Sequence, residues 1–288
     1  MREFVISRRS DLRLAHVRAY LDSLPADGDV LVLGATFEAS AELTRSLGRS
    51  LFGWRRTTPY RCALELARPT LLERGLTAVT SLSLEALWAR VTWNLGETEL
   101  LHRLAPLEGK PGLSRALSRT VAELRMLEVS PDAVEPALAD AMRAFDEALV
   151  TSKLADRAQV YALARETAGS LPRAPLVLLD VPLAARLEQR FIDALVTASS
   201  DTLAVAPADD EQTVAVLSAV LGPPRVLEAT PGTPLTELQR NLFSSSQPET
   251  PHTLEDFFSA PGEARECVEI ARRIIALAKT GVRHDDIA

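Results

Sequence analysis

Residues 30–43 read VLVLGATFEASAEL, a continuous apolar run that reaches a glycine and then passes into a helical pattern. An unbroken apolar run of this kind is typical of a strand covered on both faces of a parallel sheet. Comparable runs occur at 3–6 (EFVI), 77–80 (TAVT), 176–180 (LVLLD) and 202–206 (TLAVA). Because helical patterns separate these runs, we predict an α/β fold built on a parallel sheet.

Helices are predicted wherever apolar residues recur at helical spacing between recognisable end signals. The helix over 59–74 begins at Pro59 and stops before Gly75, which matches the usual places of proline and glycine at helix ends. The helix over 11–24 follows a Ser-Asp cap signal. The other helices linked to the sheet are expected at 39–47, 184–198, 210–221 and 262–279, with a smaller helical piece at 235–243 and a strand-like run at 254–259.

The stretch 93–171 interrupts this alternation of strands and helices. It contains no convincing strand, and three amphipathic helices are expected at 113–128, 132–150 and 152–169. We interpret the stretch as a helical insertion in the sheet domain, with a plain packing role as the alternative. We expect Trp88 and Trp93, near its start, to pack beneath the inserted helices, and a role in stacking on bases is the alternative.

Composition narrows the classes of protein that the chain can belong to. The formal net charge is −7, which argues against a free-standing domain that grips DNA through a broad basic face. No run approaches the roughly 18 apolar residues of a membrane-spanning helix, and the first residues carry no apolar signal core. Cys62 and Cys267 lack metal-ligand spacing, so we expect buried structural thiols and a cytoplasmic location.

The turn after the run at 30–33 is where a phosphate-binding loop, G-x-x-x-x-G-K-[ST], would lie. Gly34 matches the first glycine, but the second glycine, the lysine and the hydroxyl residue are replaced. Those three positions are Ala39, Ser40 and Ala41. Glu38 adds a negative charge where phosphates would bind, which opposes anion binding. The sequence therefore predicts a degenerate nucleotide site.

The run LVLLD supports the same interpretation. Asp180 ends the run in the place of a carboxylate that would hold magnesium, but Val181 follows where a helicase has its catalytic glutamate. A solvated or capping role for Asp180 is the alternative. The four histidines show no metal spacing, and no nucleophile motif is present. We predict no catalytic residue, no cofactor and no metal, and no ATP hydrolysis.

Several runs resemble one family of helicases. Residues 257–288, FFSAPGEARECVEIARRIIALAKTGVRHDDIA, are similar to the start of the second motor domain of UvrD/Rep-type, superfamily 1, helicases. In that family a strand leads to a glutamate-containing helix and a G-x-x-x-x-D-I-A turn. The runs at 117–134, 152–164 and 233–243 resemble the B subunit of AddAB-type helicase–nucleases, to which the inactive-helicase protein RecC is related.

The resemblance implies a P-loop-NTPase-like core with an all-helical insertion. Residues 1–92 and 172–245 would form a 1A-like domain, 93–171 a 1B-like insertion, and 246–288 the truncated start of a 2A-like domain. B-type subunits act in recombinational DNA repair with a motor subunit of the AddA or RecB type. They carry a PD-(D/E)XK nuclease far downstream, so we expect an N-terminal fragment without nuclease chemistry of its own.

The function that this resemblance implies is an inactive helicase-like scaffold that binds or scans DNA. Phosphate contacts would come from arginines on loops at the sheet edge and on the insertion, and they would be salt-sensitive and independent of base sequence. The candidates are Arg55, Arg56, Arg61, Arg115 and Arg119. Two alternatives stay open: a module that binds a motor subunit without touching DNA, and a small-molecule enzyme with its site near Gly34, Thr36 and Asp180.

Overall fold

Parallel strand pairing organises the first part of the chain. The computed structural model describes residues 2–227, 258–284 and 287, and the chain divides into two units, 1–229 and 230–288. The strands of the first unit are β1 (Arg2–Ser7), β2 (Val30–Gly34), β3 (Trp54–Thr57), β4 (Thr77–Ala78), β5 (Leu154–Ala155), β6 (Leu176–Leu179), β7 (Thr202–Pro207) and β8 (Arg225–Val226).

Six of these strands form one sheet in the order β3-β2-β6-β7-β1-β8, and every neighbouring pair is parallel. Four of the five predicted runs supply the four inner strands of this sheet. The predicted α/β fold with a parallel sheet is therefore confirmed. Strands β2, β6 and β7 are buried almost throughout, as expected when helices cover both faces, whereas β1 is buried at half of its residues.

The strands differ from the prediction in four places, one of which is the two-residue β8, which was not predicted. The run at 77–80 is only the two-residue β4, which pairs with β5 outside the main sheet. Strand β5 itself lies within 93–171, where we expected none. Strand β3, with the sequence WRRT, was also not predicted, because an edge strand can leave two arginines exposed between a buried Trp54 and a buried Thr57.

Helices connect the strands and cover the sheet. They are α1 (Ser10–Asp22), α2 (Phe37–Arg45), α3 (Pro59–Glu73), α4 (Ser81–Glu97), α5 (Pro111–Met126), α6 (Pro136–Ser152), α7 (Arg157–Thr167), α8 (Arg186–Ala198) and α9 (Glu211–Leu221). Among the residues described, no helix is long and apolar enough to cross a membrane.

Alternating residues of each inner strand point to opposite faces of the sheet. In β2, Leu31 and Leu33 join the cluster formed with α3, α7 and α8, whereas Val30 and Val32 join the cluster formed with α1 and α2. A sheet with two covered faces leaves its strand ends as the places where loops can hold functional side chains. The carboxyl ends of the strands lead directly into α1, α2, α3 and α9.

Helices α4, α5 and α6 have a hydrophobic cluster of their own. Its centre is a stacked pair, Trp88 on α4 and Phe145 on α6, with ring centroids 4.6 Å apart. The packing role expected for Trp88 is confirmed. The same expectation is wrong for Trp93, whose side chain is on the opposite face of α4 and exposed.

The second unit contains one described helix, α10 (Glu263–Lys279), which agrees with the predicted helix at 262–279. The guanidinium of Arg273 lies 4.2 Å from the ring centroid of Phe258. Cys267 is exposed, so the expectation of a buried thiol is wrong there, whereas Cys62 of α3 is buried. The helical piece expected at 235–243 and residues 254–257 of the strand-like run lie outside the described residues.

Candidate functional site

The connection between β2 and α2 is too short to be a phosphate-binding loop. Only Ala35 and Thr36 separate Gly34, the last residue of β2, from Phe37, the first of α2. The hydroxyl of Thr36 caps the helix by accepting a hydrogen bond of 3.1 Å from the Ala39 amide. In a phosphate-binding loop this amide would point toward the ligand. Here its hydrogen bond is already made to the Thr36 side chain.

Gly34 is required here by close packing. A Cβ at this position would lie 2.7 Å from the carbonyl oxygen of Thr36 and 3.1 Å from the backbone nitrogen of Ser40. Ser40 is fully buried and donates its hydroxyl hydrogen to the Phe37 carbonyl at 2.8 Å. Ala41 follows it without a group that could hold a cation. The glycine therefore serves the tight turn, and the side chains around it hold no phosphate.

The structure brings Gly34 and Asp180 to neighbouring strand ends. Gly34 is in register with Leu179 of β6, and the Ala35 amide donates to the Leu179 carbonyl at 3.2 Å. Asp180 follows β6 directly, with a positive φ of 49°. Its neighbour Val181 is buried, so an apolar side chain fills the place of a catalytic carboxylate.

The carboxylate of Asp180 is held by Arg13 of α1. The Arg13 guanidinium donates two hydrogen bonds to it, from Nε at 2.8 Å and from Nη2 at 2.9 Å, and Nη1 donates to the Ser7 carbonyl at 2.5 Å. Arg13 is buried, with 5% of its surface exposed. A bidentate guanidinium contacts both carboxylate oxygens, so the main contact of Asp180 is the ion pair with Arg13, while its side chain remains 27% exposed.

Arg13 is the site residue that sequence reasoning missed. The pattern G-x-x-x-x-G-K-[ST] can also be placed on Ser7–Leu14, after β1 and into α1, with Arg13 at the lysine position. Ser7, Leu12 and Leu14 then occupy the positions of the two glycines and the hydroxyl residue. The sequence does place a basic residue at the right distance after the run at 3–6. It was missed because neither glycine of the pattern is present.

The turn between β1 and α1 is as short as the one after β2. Arg8 and Arg9 alone connect Ser7 to Ser10, where α1 begins. The expected Ser-Asp cap is wrong, because Arg9 is the cap residue and no side chain caps the helix. Instead Arg9 forms an ion pair with Asp11 at 2.5 Å, and Arg8 forms one with Asp209 at 2.8 Å. Helix α1 thus begins before a loop long enough to surround a phosphate can form.

Of the arginines predicted to contact DNA, three lie near β3. Arg55 and Arg56 are exposed on β3 itself and not on a loop, because this segment pairs with β2 at the edge of the sheet. Arg61 is in the first turn of α3, and its guanidinium lies 5.5 Å from the ring centroid of Phe37. Phe37 is 40% exposed at the start of α2. Phe37 was not among the predicted site residues.

Arg115 and Arg119 lie on α5, one helical turn apart, and both are exposed. Residues four apart lie on the same face of a helix. Within residues 2–227 and 258–284 neither guanidinium has an acidic partner that we can describe. Arg157, at the start of α7, shows the opposite case: it pairs with Glu188 at 2.8 Å and lies over the rings of Tyr60 and Tyr161.

Two buried groups close to the sheet, Tyr161 and Cys62, are kept neutral. Burial raises the pKa of the Tyr161 hydroxyl well above its usual range, and it raises the pKa of the Cys62 thiol to about 12. Neither group is therefore an activated nucleophile or base near neutral pH. In the described part of the chain, no cluster of three or more His, Cys, Asp or Glu side chains could hold a metal ion.

These features define an α/β protein with a parallel sheet in which an ion pair joins the start of α1 to the end of β6. Comparison of the chain with models of known protein families gave no match, and comparison with curated proteins gave none either.

Proposed function

We propose that this chain is a helicase-like scaffold without nucleotide chemistry, which helps to hold DNA in a helicase–nuclease that processes DNA ends. The observation that carries the proposal is the ion pair between Arg13 and Asp180. In an active nucleotide site the basic residue would contact phosphates and the carboxylate would hold magnesium. Here the two side chains satisfy each other, and neither is left for a ligand.

Three further features support a superfamily 1 relationship, with a 1A-like core interrupted by a 1B-like insertion. The sheet is parallel and carries the degenerate turn and Asp180 at neighbouring strand ends. Helices α4 to α6 pack around their own apolar cluster, as a subdomain inserted between strands would. The runs at 117–134 and 257–288 resemble the B-type subunits and the second motor domain, respectively.

The DNA-binding surface in this proposal includes the carboxyl edge of the sheet. Arg61 and the exposed ring of Phe37 lie beside each other there, and an arginine next to an aromatic ring suits a phosphate followed by a base. Arg55 and Arg56 on β3 and the α5 arginines extend the positive charge. Because the net charge is −7, binding would depend on these local groups and would weaken steeply with salt.

The partner in this proposal is a motor subunit of the AddA or RecB type in the cytoplasm, and any nuclease activity belongs to a domain outside these residues. The alternative of a small-molecule enzyme is less well supported. Its site would use Asp180, which is already paired, and the three grooves that we describe in residues 2–227 are lined by residues other than Gly34, Thr36 and Asp180.

The nucleotide part of the proposal is tested by titrating the chain with a fluorescent ATP analogue in the presence of Mg²⁺. We expect no saturable binding and no phosphate release. The variant D180A should also fail to bind, because both turns lack the loop that would surround phosphates. Saturable binding of Mg·ATP by the unmodified chain would overturn this part.

The DNA part is tested by fluorescence anisotropy with a labelled single strand at low and at moderate salt. We expect binding at low salt that decreases with added salt, and a weaker complex for the double variant F37A/R61A. The control is R45A, since Arg45 is an exposed arginine on the same helix as Phe37 and pairs locally with Glu42. Absence of binding at low salt would favour the alternative of a protein-interaction module.

A further inference from the structure

Trp93 exposes most of its indole ring on the surface of α4. Its exposed fraction is 67%, whereas Trp54 and Trp88 are 8% and 1% exposed. Tryptophan is large and mostly apolar, so a ring that remains in water makes no contribution to the core. The exposed indole presents a flat apolar face on which another ring could stack.

A groove of about 500 Å³ lies beside this indole, between α4 and the start of α5. This volume is within the usual range for a site that receives a small ring system. Below it, the hydroxyls of Thr92 and Ser114 are hydrogen-bonded at 2.6 Å and hold the two helices together. The residues that form the groove include Ala89, Thr92, Trp93, Lys110, Leu113 and Ser114.

The charge of the segment beside the groove favours an anion. Residues 109–119, GKPGLSRALSR, contain three basic residues and no acidic residue, although the whole chain has a net charge of −7. Lys110 lines the groove, and Arg115 and Arg119 continue along the exposed face of α5. The cap residue of α5 makes no side-chain hydrogen bond, so the positive end of the helix dipole adds to this charge.

One carboxylate belongs to the groove as well. Glu108 is one of its lining residues. A Cβ added at Gly96 of α4 would lie 2.6 Å from the Oε1 atom of Glu108. The side chain therefore packs against the backbone of α4 close to the indole. It opposes an anion in the groove, and it offers a variant, Glu108→Gln, that should strengthen anion binding.

We propose that this groove binds single-stranded DNA, with one base stacked on the Trp93 indole and the neighbouring phosphates held by Lys110, Arg115 and Arg119. Aromatic rings beside a positively charged track are the usual means of binding a single strand without regard to sequence. The inference rests on the proposed function, and it adds a second DNA contact to the one at Phe37 and Arg61. A duplex would not bind in this way, because its bases are already paired and stacked on one another and are not available to the indole.

The test uses intrinsic tryptophan fluorescence, because Trp93 is the exposed one of the three tryptophans. Oligo(dT) of about 15 nucleotides is added at low salt. We expect quenching in the unmodified chain and in W54F, and none in W93A. In a parallel anisotropy titration with labelled oligo(dT), W93A and K110A should each bind about tenfold more weakly, and E108Q more tightly. Circular dichroism verifies that each variant is folded.

The outcomes separate this inference from the proposed function. If the unmodified chain does not bind the strand in the anisotropy experiment, the DNA role fails as a whole. If it binds, but W93A binds equally well and the emission is unchanged, the groove is not the site while the sheet edge remains a DNA contact. Equal quenching by a duplex would also overturn the stacking contact.

Discussion

Arg13 and Asp180 form a bidentate ion pair across a sequence separation of 167 residues, with N–O distances of 2.8 and 2.9 Å. The pair joins the start of α1, which follows β1, to the end of β6. Strand β7 lies between β1 and β6 in the sheet. Arg13 is buried, so the ion pair with Asp180 is the main compensation for the charge of its guanidinium inside the fold. The pair is therefore a constraint on the fold.

We expect D180A to lower the free energy of unfolding by about 3 kcal/mol, since it leaves a buried guanidinium without its counter-ion. R13A should cost less, because the Asp180 side chain is 27% exposed and can be hydrated. The control R45A removes an exposed ion pair and should cost less than about 1 kcal/mol. Urea unfolding followed by circular dichroism measures all three. An equal effect of D180A and R45A would contradict the structural role.

The second prediction concerns the turn after β2. G34A should destabilise the protein by about 1–3 kcal/mol, because the new Cβ would lie 2.7 Å from the Thr36 carbonyl oxygen and must displace backbone. The control G112A lies in α5, where a Cβ meets no atom within 4 Å, and it should be neutral or stabilising. Thermal unfolding of the two variants compares them directly. A neutral G34A would show that the turn can relax.

Asp156 provides a prediction that separates capping from charge. Its carboxylate caps α7 by accepting from the Gln159 amide at 2.9 Å, and it also accepts from Arg125 Nε at 2.7 Å. D156N keeps an N-cap acceptor and loses the charge, whereas D156A loses both. We expect both variants to be less stable than the parent, and D156A to be the worse by about 1 kcal/mol. Identical stabilities in a urea titration would show that the cap contributes nothing.

The fourth prediction concerns the two thiols. Cys62 is buried and Cys267 is exposed, so one thiol per chain should react with a disulfide reagent near pH 8, and two after denaturation. C267S should remove the fast reaction.

Burial raises the pKa of the Cys62 thiol from 9.0 to about 12. The stability gained from the neutral buried thiol is therefore complete below pH 9 and is lost as the pH rises toward 12. C62A should therefore show a smaller alkaline loss of stability, and an unchanged pH profile would contradict this assignment.

The inner part of the sheet could be predicted from sequence because its strands contain short apolar runs that are buried between the covering helices. Strand β3 could not, since its WRRT sequence is stabilised by pairing with β2 and not by its own pattern. The same limit applies to the site. Gly34 and Asp180 were found from local motifs, whereas the role of Arg13 depends on a contact between distant parts of the chain.

Trp93 illustrates a further limit of the sequence. Its spacing from Trp88 is five residues along α4, which places the two rings on different faces of one helix. No local pattern says which face the neighbouring helices will cover. The structure decides this through the pairing of Trp88 with Phe145.

Strand β3 also determines where the sheet stops. Among the described residues it pairs only with β2, so within this part of the chain its other side is an open edge that could recruit a strand from another molecule. Arg55 and Arg56 project from this boundary, and a second copy aligned on it would bring like charges together. Like charges that face each other disfavour the pairing of two copies along this edge.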